Sequence, residues 1–272
     1  MAKGDRSSDG TAREVRERRP AETILTIIHD RGKGGLPWYD VSRQLLNPDL
    51  YLRASARRQQ KAGATTPGPT DETVDGMSQA KITKIIEVLR YARWRWTPVR
   101  RVELPTSHGK TRPLGLPTWS DKRLQEGRRA RLEADDAPQC SDHSHGFRPQ
   151  KGCHTALTKI PKTWSGTKGL IEGDIRGGVD HSDHPILMTI LREPLHENRF
   201  LRLIEGLLKA GYWEAWTSHP TLSGTPQGGV VSPMLSTIDL DRLDRVVMGT
   251  LIPEWTRGKT RKAPPVYQRR RA

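Results

Sequence analysis

Two short stretches, about fifty residues apart, restrict the fold of this chain more than any other feature. The first, residues 169–184, is Gly-Leu-Ile-Glu-Gly-Asp-Ile-Arg-Gly-Gly-Val-Asp-His-Ser-Asp-His. An apolar pair precedes Asp174 and predicts a carboxylate at the end of a short strand, followed by glycines that let another backbone approach. Mg²⁺ favours one or two carboxylates together with substrate oxygens. Taken alone, the stretch is more typical of an ordinary Asp- and Gly-rich turn than of a metal site.

The second stretch favours a functional interpretation of the first stretch over an ordinary turn. Residues 224–233 form the unusual run Gly-Thr-Pro-Gln-Gly-Gly-Val-Val-Ser-Pro. Together with Gly-Asp-Ile-Arg-Gly-Gly-Val-Asp-His, it resembles the palm of reverse transcriptases, specifically the reverse transcriptase/maturases encoded by group II introns. The resemblance extends from about Pro37 to the C-terminus. It implies an α+β fold, with reverse-transcriptase fingers and a partial palm of a right-hand polymerase behind a helical N-terminal extension.

The resemblance also implies roles for residues of the two stretches. Asp174, with its neighbour Ile175, would hold Mg²⁺ as a ligand of both catalytic ions of an RNA-directed DNA polymerase. Gln227 and Gly228 would border the nucleotide. Val179 stands where the family usually has a phenylalanine that screens the sugar 2′ position, so the smaller side chain would loosen the rejection of ribonucleotides. Two-metal phosphoryl transfer requires such carboxylates to hold both ions about 3.5–4 Å apart.

A β-hairpin is predicted over residues 102–117, with its turn at His108 and Gly109. It resembles the first fingers motif of the family. By position, Arg112 and Lys110 would reach the incoming triphosphate, where arginine offers bidentate contacts and lysine a point charge. A role of Lys110 in solubility is the alternative.

The charge balance favours a nucleic-acid partner. Lysine and arginine number 46 against 31 acidic residues, a net charge of +15. Residues 89–101 interleave arginines with aromatic rings, as suits phosphate contact combined with base stacking. The alternative is a helix end whose arginines extend over a tryptophan core contact. The candidate contacts in this segment are Arg90, Arg93, Trp94 and Arg95.

Two further segments resemble parts of the family that touch nucleic acid. Thr66 and Gly68 match an ordered loop that contacts the template strand. Phe147 and Arg148 match the second fingers motif and would contact template or nucleotide. The nearby histidines and Cys153 have a spacing that fits none of the usual zinc pairs.

Composition limits the compartment and the class of protein. Two cysteines exclude a disulfide scaffold and fit a reducing cytoplasm. No apolar run approaches the roughly 18 residues of a membrane span, and the N-terminus lacks the apolar core of a signal peptide. We therefore expect a cytoplasmic protein without a membrane partner.

Predicted helices include one from Pro20 to about Arg31 and an amphipathic one capped by Ser78. The helix that Ser120 would cap is the exception. Counting from Leu124, its core-facing positions include Gly127, Arg128 and Arg131, so we expect a broken, damaged helix. The low hydrophobic content of 33% and the mean hydropathy of −0.72 agree with that expectation.

The predicted organisation has five parts. These are a disordered N-terminus (1–20), the helical extension (21–97), fingers (98–167), partial palm (168–250) and a basic tail (251–272).

The family's second palm motif, Tyr-Ala-Asp-Asp, does not follow residue 233. Asp180 and Asp183 match positions that do not bind metal in the family. We therefore expect an N-terminal fragment that does not polymerise alone. The full-length family uses intron RNA, an RNA template with a DNA primer, and deoxynucleotides. The alternatives are a non-catalytic RNA-binding maturase fragment and an inert truncated product.

Overall fold

The computed structural model describes residues 19–59, 66–73, 78–106, 109, 111–164, 172–175, 177–179, 181–214, 217–225 and 228–255. The helices are α1 (Ala21–Lys33), α2 (Val41–Gln44), α3 (Pro48–Gln59), α4 (Gln79–Arg90), α5 (Trp119–Asp136), α6 (Cys153–Thr163), α7 (His184–Arg192), α8 (Asn198–Leu208), α9 (Ser232–Val246) and, after a π-helical turn at Val247–Leu251, α10 (Ile252–Trp255). The strands are β1 (Val99–Pro105), β2 (Thr111–Leu116), β3 (Tyr212–Glu214) and β4 (Thr217–His219). The predicted disordered start and most of the basic tail lie outside these residues, and the other predicted boundaries stay predictions.

The predicted fingers hairpin is confirmed, and it begins three residues earlier than expected, at Val99. Strands β1 and β2 are antiparallel, with Leu104 opposite Arg112. Strand β3 adds to the other edge of β1 in parallel, and β4 completes a sheet of order β2-β1-β3-β4. The described sheet therefore joins the hairpin to a segment more than one hundred residues downstream.

Apolar burial is divided between two clusters. The larger one gathers α1, α7, α8 and α9 around residues such as Leu187 and Phe200. The smaller one contains the predicted stripe of α4, from Ile82 to Leu89, packed on Tyr51. That stripe is confirmed as core, and the side chain of Ser78 caps its helix by accepting a hydrogen bond from the amide of Lys81.

Helix α5 lies between these clusters and contacts α1, α3 and α9. It begins one residue before the predicted cap, so the prediction for Ser120 is wrong. Thr118 caps the helix by accepting a hydrogen bond from the amide of Asp121 at 3.1 Å. The amide and hydroxyl of Ser120 instead donate to the carboxylate of Glu72.

Helix α5 is continuous, and the break predicted after Leu124 is wrong. Its buried arginines lie over aromatic rings where an apolar stripe would otherwise pack. The guanidinium carbon of Arg128 is 4.7 Å from the ring centre of Trp96, and that of Arg131 is 4.1 Å from the ring centre of Trp38. Burial lowers the pKa of Arg128 to about 9 and that of Arg131 to about 10. The helix therefore forms at an electrostatic cost.

Among the helices of the described residues, none combines the length and the apolar character required to cross a membrane.

Candidate nucleotide and nucleic-acid site

The two stretches that dominate the sequence lie side by side in the structure. The amide of Thr225 donates to the carbonyl of Val179, and the amide of Gly224 donates to the carbonyl of Ser182, both at 2.8 Å. The ring nitrogen Nε2 of His184 lies 2.6 Å from the carbonyl oxygen of Gly224. The segment after Asp174 therefore packs directly against Gly224 and Thr225 of the second stretch.

Gly228, also in the second stretch, lies against the fingers hairpin. Its φ is +89°, and a Cβ built on it would lie 2.4 Å from the carbonyl oxygen of Gly115 and 2.7 Å from a methyl of Leu114. Glycine is required here because both the backbone angle and the space exclude a side chain. Two residues later, the amide of Val230 donates to the buried side chain of Gln125 at 2.7 Å, which ties the loop to α5.

Asp174 is exposed, and so is Ile175, with 55% of its surface accessible. The predicted strand does not extend through residues 172–175, which have no regular secondary structure, and its earlier residues 169–171 lie outside the described part of the chain. The carbonyl of Ile175 accepts a hydrogen bond from the amide of Gly178 at 3.2 Å, which closes a turn. Asp174 is therefore followed by a glycine-containing turn, and no strand is present in the described residues just before it.

The oxygen donors at this turn suit a hard cation such as Mg²⁺, but one carboxylate is fewer than a two-metal site needs. The carboxylate of Asp183 has another role, because it caps α7 by accepting a hydrogen bond from the amide of Ile186 at 2.9 Å. Among the described residues, histidine, cysteine and acidic side chains form no group of three or more with metal-binding geometry.

Other predicted nucleotide contacts lie along the same edge. Arg112 is exposed on β2, two residues before Leu114, which contacts Gly228. Val179 is half-buried beside the loop. Lys110 and Gln227 lie outside the described residues. The structure therefore brings Val179, Gly228 and the strand of Arg112 together, and their contacts with nucleotide stay predictions.

The basic segment at the end of α4 and after it alternates exposed arginines with a half-buried tryptophan, and its contact with nucleic acid stays a prediction. Arg90, Arg93 and Arg95 are exposed, whereas Trp94 is half-buried and packs against the smaller apolar cluster. The ring centres of Trp94 and Trp96 are 6.1 Å apart in an edge-on arrangement. The tryptophan therefore anchors the segment, and the guanidinium groups are available to an anionic partner.

The loop at Thr66–Gly68 packs on the junction between β2 and α5. A Cβ on Gly68 would lie 2.5 Å from the carbonyl oxygen of Pro117, and Arg100 donates to the carbonyl of Pro67 at 3.0 Å. Gly68 is buried by this contact, while Thr66 remains exposed. The loop is thus held against the hairpin, with Thr66 on its outer side.

The second fingers motif contains one exposed and one internally bonded side chain. Phe147 is 73% exposed and has a φ of +54°. Arg148 donates to the carbonyls of Ala137, Ser141 and Ser144 at 2.6–3.0 Å. This arrangement fixes the loop that presents Phe147, a role for Arg148 that the sequence alone did not indicate.

Comparisons with known proteins show the family to which the chain belongs. Residues 104–253 match the family model described as reverse transcriptase (RNA-dependent DNA polymerase). The chain is 42% identical over 227 residues to the group II intron-encoded protein LtrA of Lactococcus lactis subsp. cremoris. The matched region covers 83% of this chain and 38% of that protein. It is 38% identical over 203 residues to an uncharacterised 91 kDa protein in the cob intron of Schizosaccharomyces pombe, covering 75% of this chain and 25% of that protein. Protein YkfC of Escherichia coli K12 is 34% identical over 232 residues, covering 81% of this chain and 59% of that protein.

Proposed function

This chain belongs to the reverse transcriptase family, among the group II intron-encoded reverse transcriptase/maturases, and we propose that it binds intron RNA and contributes the nucleotide-binding corner of an RNA-directed DNA polymerase. The chain spans 38% of the length of the LtrA protein that it matches. Template, primer and deoxynucleotides are therefore proposed partners of the site described above.

One observation carries this proposal. The amides of Gly224 and Thr225 bond to the segment of Val179 and Ser182, and Gly228 lies against the fingers strand β2. A glycine-rich segment beside a strand that carries an exposed arginine suits a nucleoside triphosphate, because backbone can approach the base and sugar while arginine contacts phosphate. By their positions in the sequence, Arg112 and Lys110 would bind phosphates, and Gln227 and Gly228 would border the nucleotide.

Asp174 and Ile175 would supply oxygen ligands to Mg²⁺. When bound, Mg²⁺ would neutralise charge on the triphosphate. Because the described residues form no group of three or more potential metal ligands around Asp174, fixing two ions requires further carboxylates. We therefore expect Asp174 to be necessary and, alone, insufficient for polymerisation.

A non-catalytic RNA-binding role is the second candidate function. It is favoured by the exposed guanidinium groups of Arg90, Arg93 and Arg95 beside the hairpin. Basic groups on a rigid, tryptophan-anchored segment contact the RNA backbone without any need for a complete metal site.

Primer extension tests whether the site is catalytically complete in this chain. The full chain is incubated with a primed RNA template, Mg²⁺ and deoxynucleotides, and Asp174→Ala serves as the control. We expect no incorporation by either protein, although both bind the template. Incorporation that disappears in Asp174→Ala would show that the site is catalytically complete, and would contradict the expected insufficiency of Asp174.

A further inference from the structure

We propose that His184 is a positioning residue that holds the loop at residues 222–225 against the palm segment and so sets the position of Gly228. The proposal rests on the proposed function, because that function places Gly228 beside the nucleotide. The contact itself is independent of any ligand.

His184 is the first residue of α7, and its side chain is buried, with 7% of the residue exposed. Its Nε2 atom lies 2.6 Å from the carbonyl oxygen of Gly224. A carbonyl oxygen only accepts hydrogen bonds, so Nε2 carries the proton and donates. The imidazole is thereby restricted to a form with hydrogen on Nε2.

This bond completes the attachment of the loop. Gly224 also donates from its amide to the carbonyl of Ser182, and the next amide, that of Thr225, donates to the carbonyl of Val179. Gly224 adopts a φ of +74°, which turns the chain sharply at the point of attachment. Four residues later, Gly228 meets β2, so a shift at Gly224 would move the surface that faces the fingers.

Two substitutions of His184 distinguish the effect of its side-chain volume from that of its hydrogen bond. His184→Phe fills a similar volume but leaves the buried carbonyl of Gly224 without its donor, which is costly. His184→Gln places an amide N–H near the position of Nε2 and restores a donor. His196 provides a matched control, because its Nε2 also pairs with a backbone carbonyl, that of Glu193 at 3.0 Å, but on an exposed surface.

Hydrogen exchange of the full chain, read by mass spectrometry on peptides covering residues 222–232, tests the proposal. We expect His184→Phe to exchange about tenfold faster in this segment, as the loss of a buried hydrogen bond implies. His184→Gln should stay within about twofold of the wild type, and His196→Phe should match it. Exchange at 222–232 that is unchanged in His184→Phe would overturn the proposal.

Peptides from α4 and α8 distinguish local from global effects. Their exchange should stay unchanged in His184→Phe, whereas equal acceleration throughout the chain would overturn a positioning role.

Binding of a fluorescent deoxynucleotide supplies the functional readout, with about fivefold weaker binding expected for His184→Phe and recovery in His184→Gln. Faster loop exchange with unchanged nucleotide affinity would overturn the link to Gly228. A wild-type chain that binds no nucleotide would instead remove the proposed function, while the exchange data would still decide whether His184 holds the loop.

Discussion

Replacing Arg128 with methionine is expected to stabilise the protein by about 1–4 kcal/mol, by analogy with buried ion pairs that are replaced by apolar side chains of similar volume. Arg128 is fully buried in α5, and its Nη1 donates to the carbonyl of Leu203 at 3.2 Å. Among the described residues, its Nε and Nη2 atoms have no hydrogen-bond partner.

Two opposing contributions decide the sign of this effect. The guanidinium group gains from lying 4.7 Å from the ring centre of Trp96 and 5.7 Å from that of Phe200. A desolvated cation–π contact contributes about 2 kcal/mol, whereas the desolvation of an unpaired ion costs several. Burial lowers the pKa of Arg128 to about 9, so desolvation exceeds the opposing charge influence of Tyr51 and Asp121.

Thermal unfolding of matched variants checks this prediction. Each kcal/mol corresponds to about 2–4 °C in Tm for a domain of this size. The neighbouring Arg129 is the control, because it donates to Glu126 at 2.8 Å and to Glu133 at 2.6 Å, so Arg129→Met should lower Tm. A Tm for Arg128→Met that falls as far as that of Arg129→Met would mean that the ring contacts outweigh desolvation.

Gly228→Ala is expected to destabilise the protein by about 2–4 kcal/mol, combining the strain of a Cβ at positive φ with the cost of overpacking. The added methyl would lie 2.4 Å from the carbonyl oxygen of Gly115, a backbone atom that cannot rotate away. The loop would therefore move off β2, and nucleotide affinity should fall together with stability.

Gly35→Ala separates backbone strain from overpacking as causes of the stability lost in Gly228→Ala. Gly35 has a φ of +61°, and no atom lies within 4 Å of the position of its added Cβ. Its substitution should cost about 1–2 kcal/mol, from backbone strain alone. Urea unfolding of both variants gives the difference, and equal losses would mean that Gly228 does not press against β2.

The parts of the fold that could be predicted from the sequence depend on local patterns. The α4 stripe has helical spacing, and the β1–β2 hairpin alternates around a short turn, so both were identified with small errors at their ends. Strands β3 and β4 have three residues each and carry no periodic signal. The parallel pairing of Val99 with Tyr212 depends on tertiary packing, which local patterns do not encode.

Helix α5 was misjudged because hydrophobic periodicity counts an arginine as a polar surface residue. Here tryptophan rings from distant segments cover the arginines, and no local rule anticipates such a partner. Contacts between distant residues were likewise not predictable at the candidate nucleotide site. The motif residues around Asp174 and Gly228 were recognised from the sequence, whereas the contact of His184 with Gly224 joins residues 40 positions apart. The motif residues could therefore be recognised from the sequence, whereas the contacts that hold them in place could not.

The most direct test of the central claim is the affinity of the full chain for a structured group II intron RNA and for random-sequence RNA of equal length, at two salt concentrations. We expect tighter binding of the intron RNA, with affinity that falls steeply as salt rises. The double variant Arg93→Ala/Arg95→Ala should lower the salt slope by about 2, one for each lost phosphate contact. Equal affinity for both RNAs would contradict recognition of intron RNA by this chain, whatever the strength of binding.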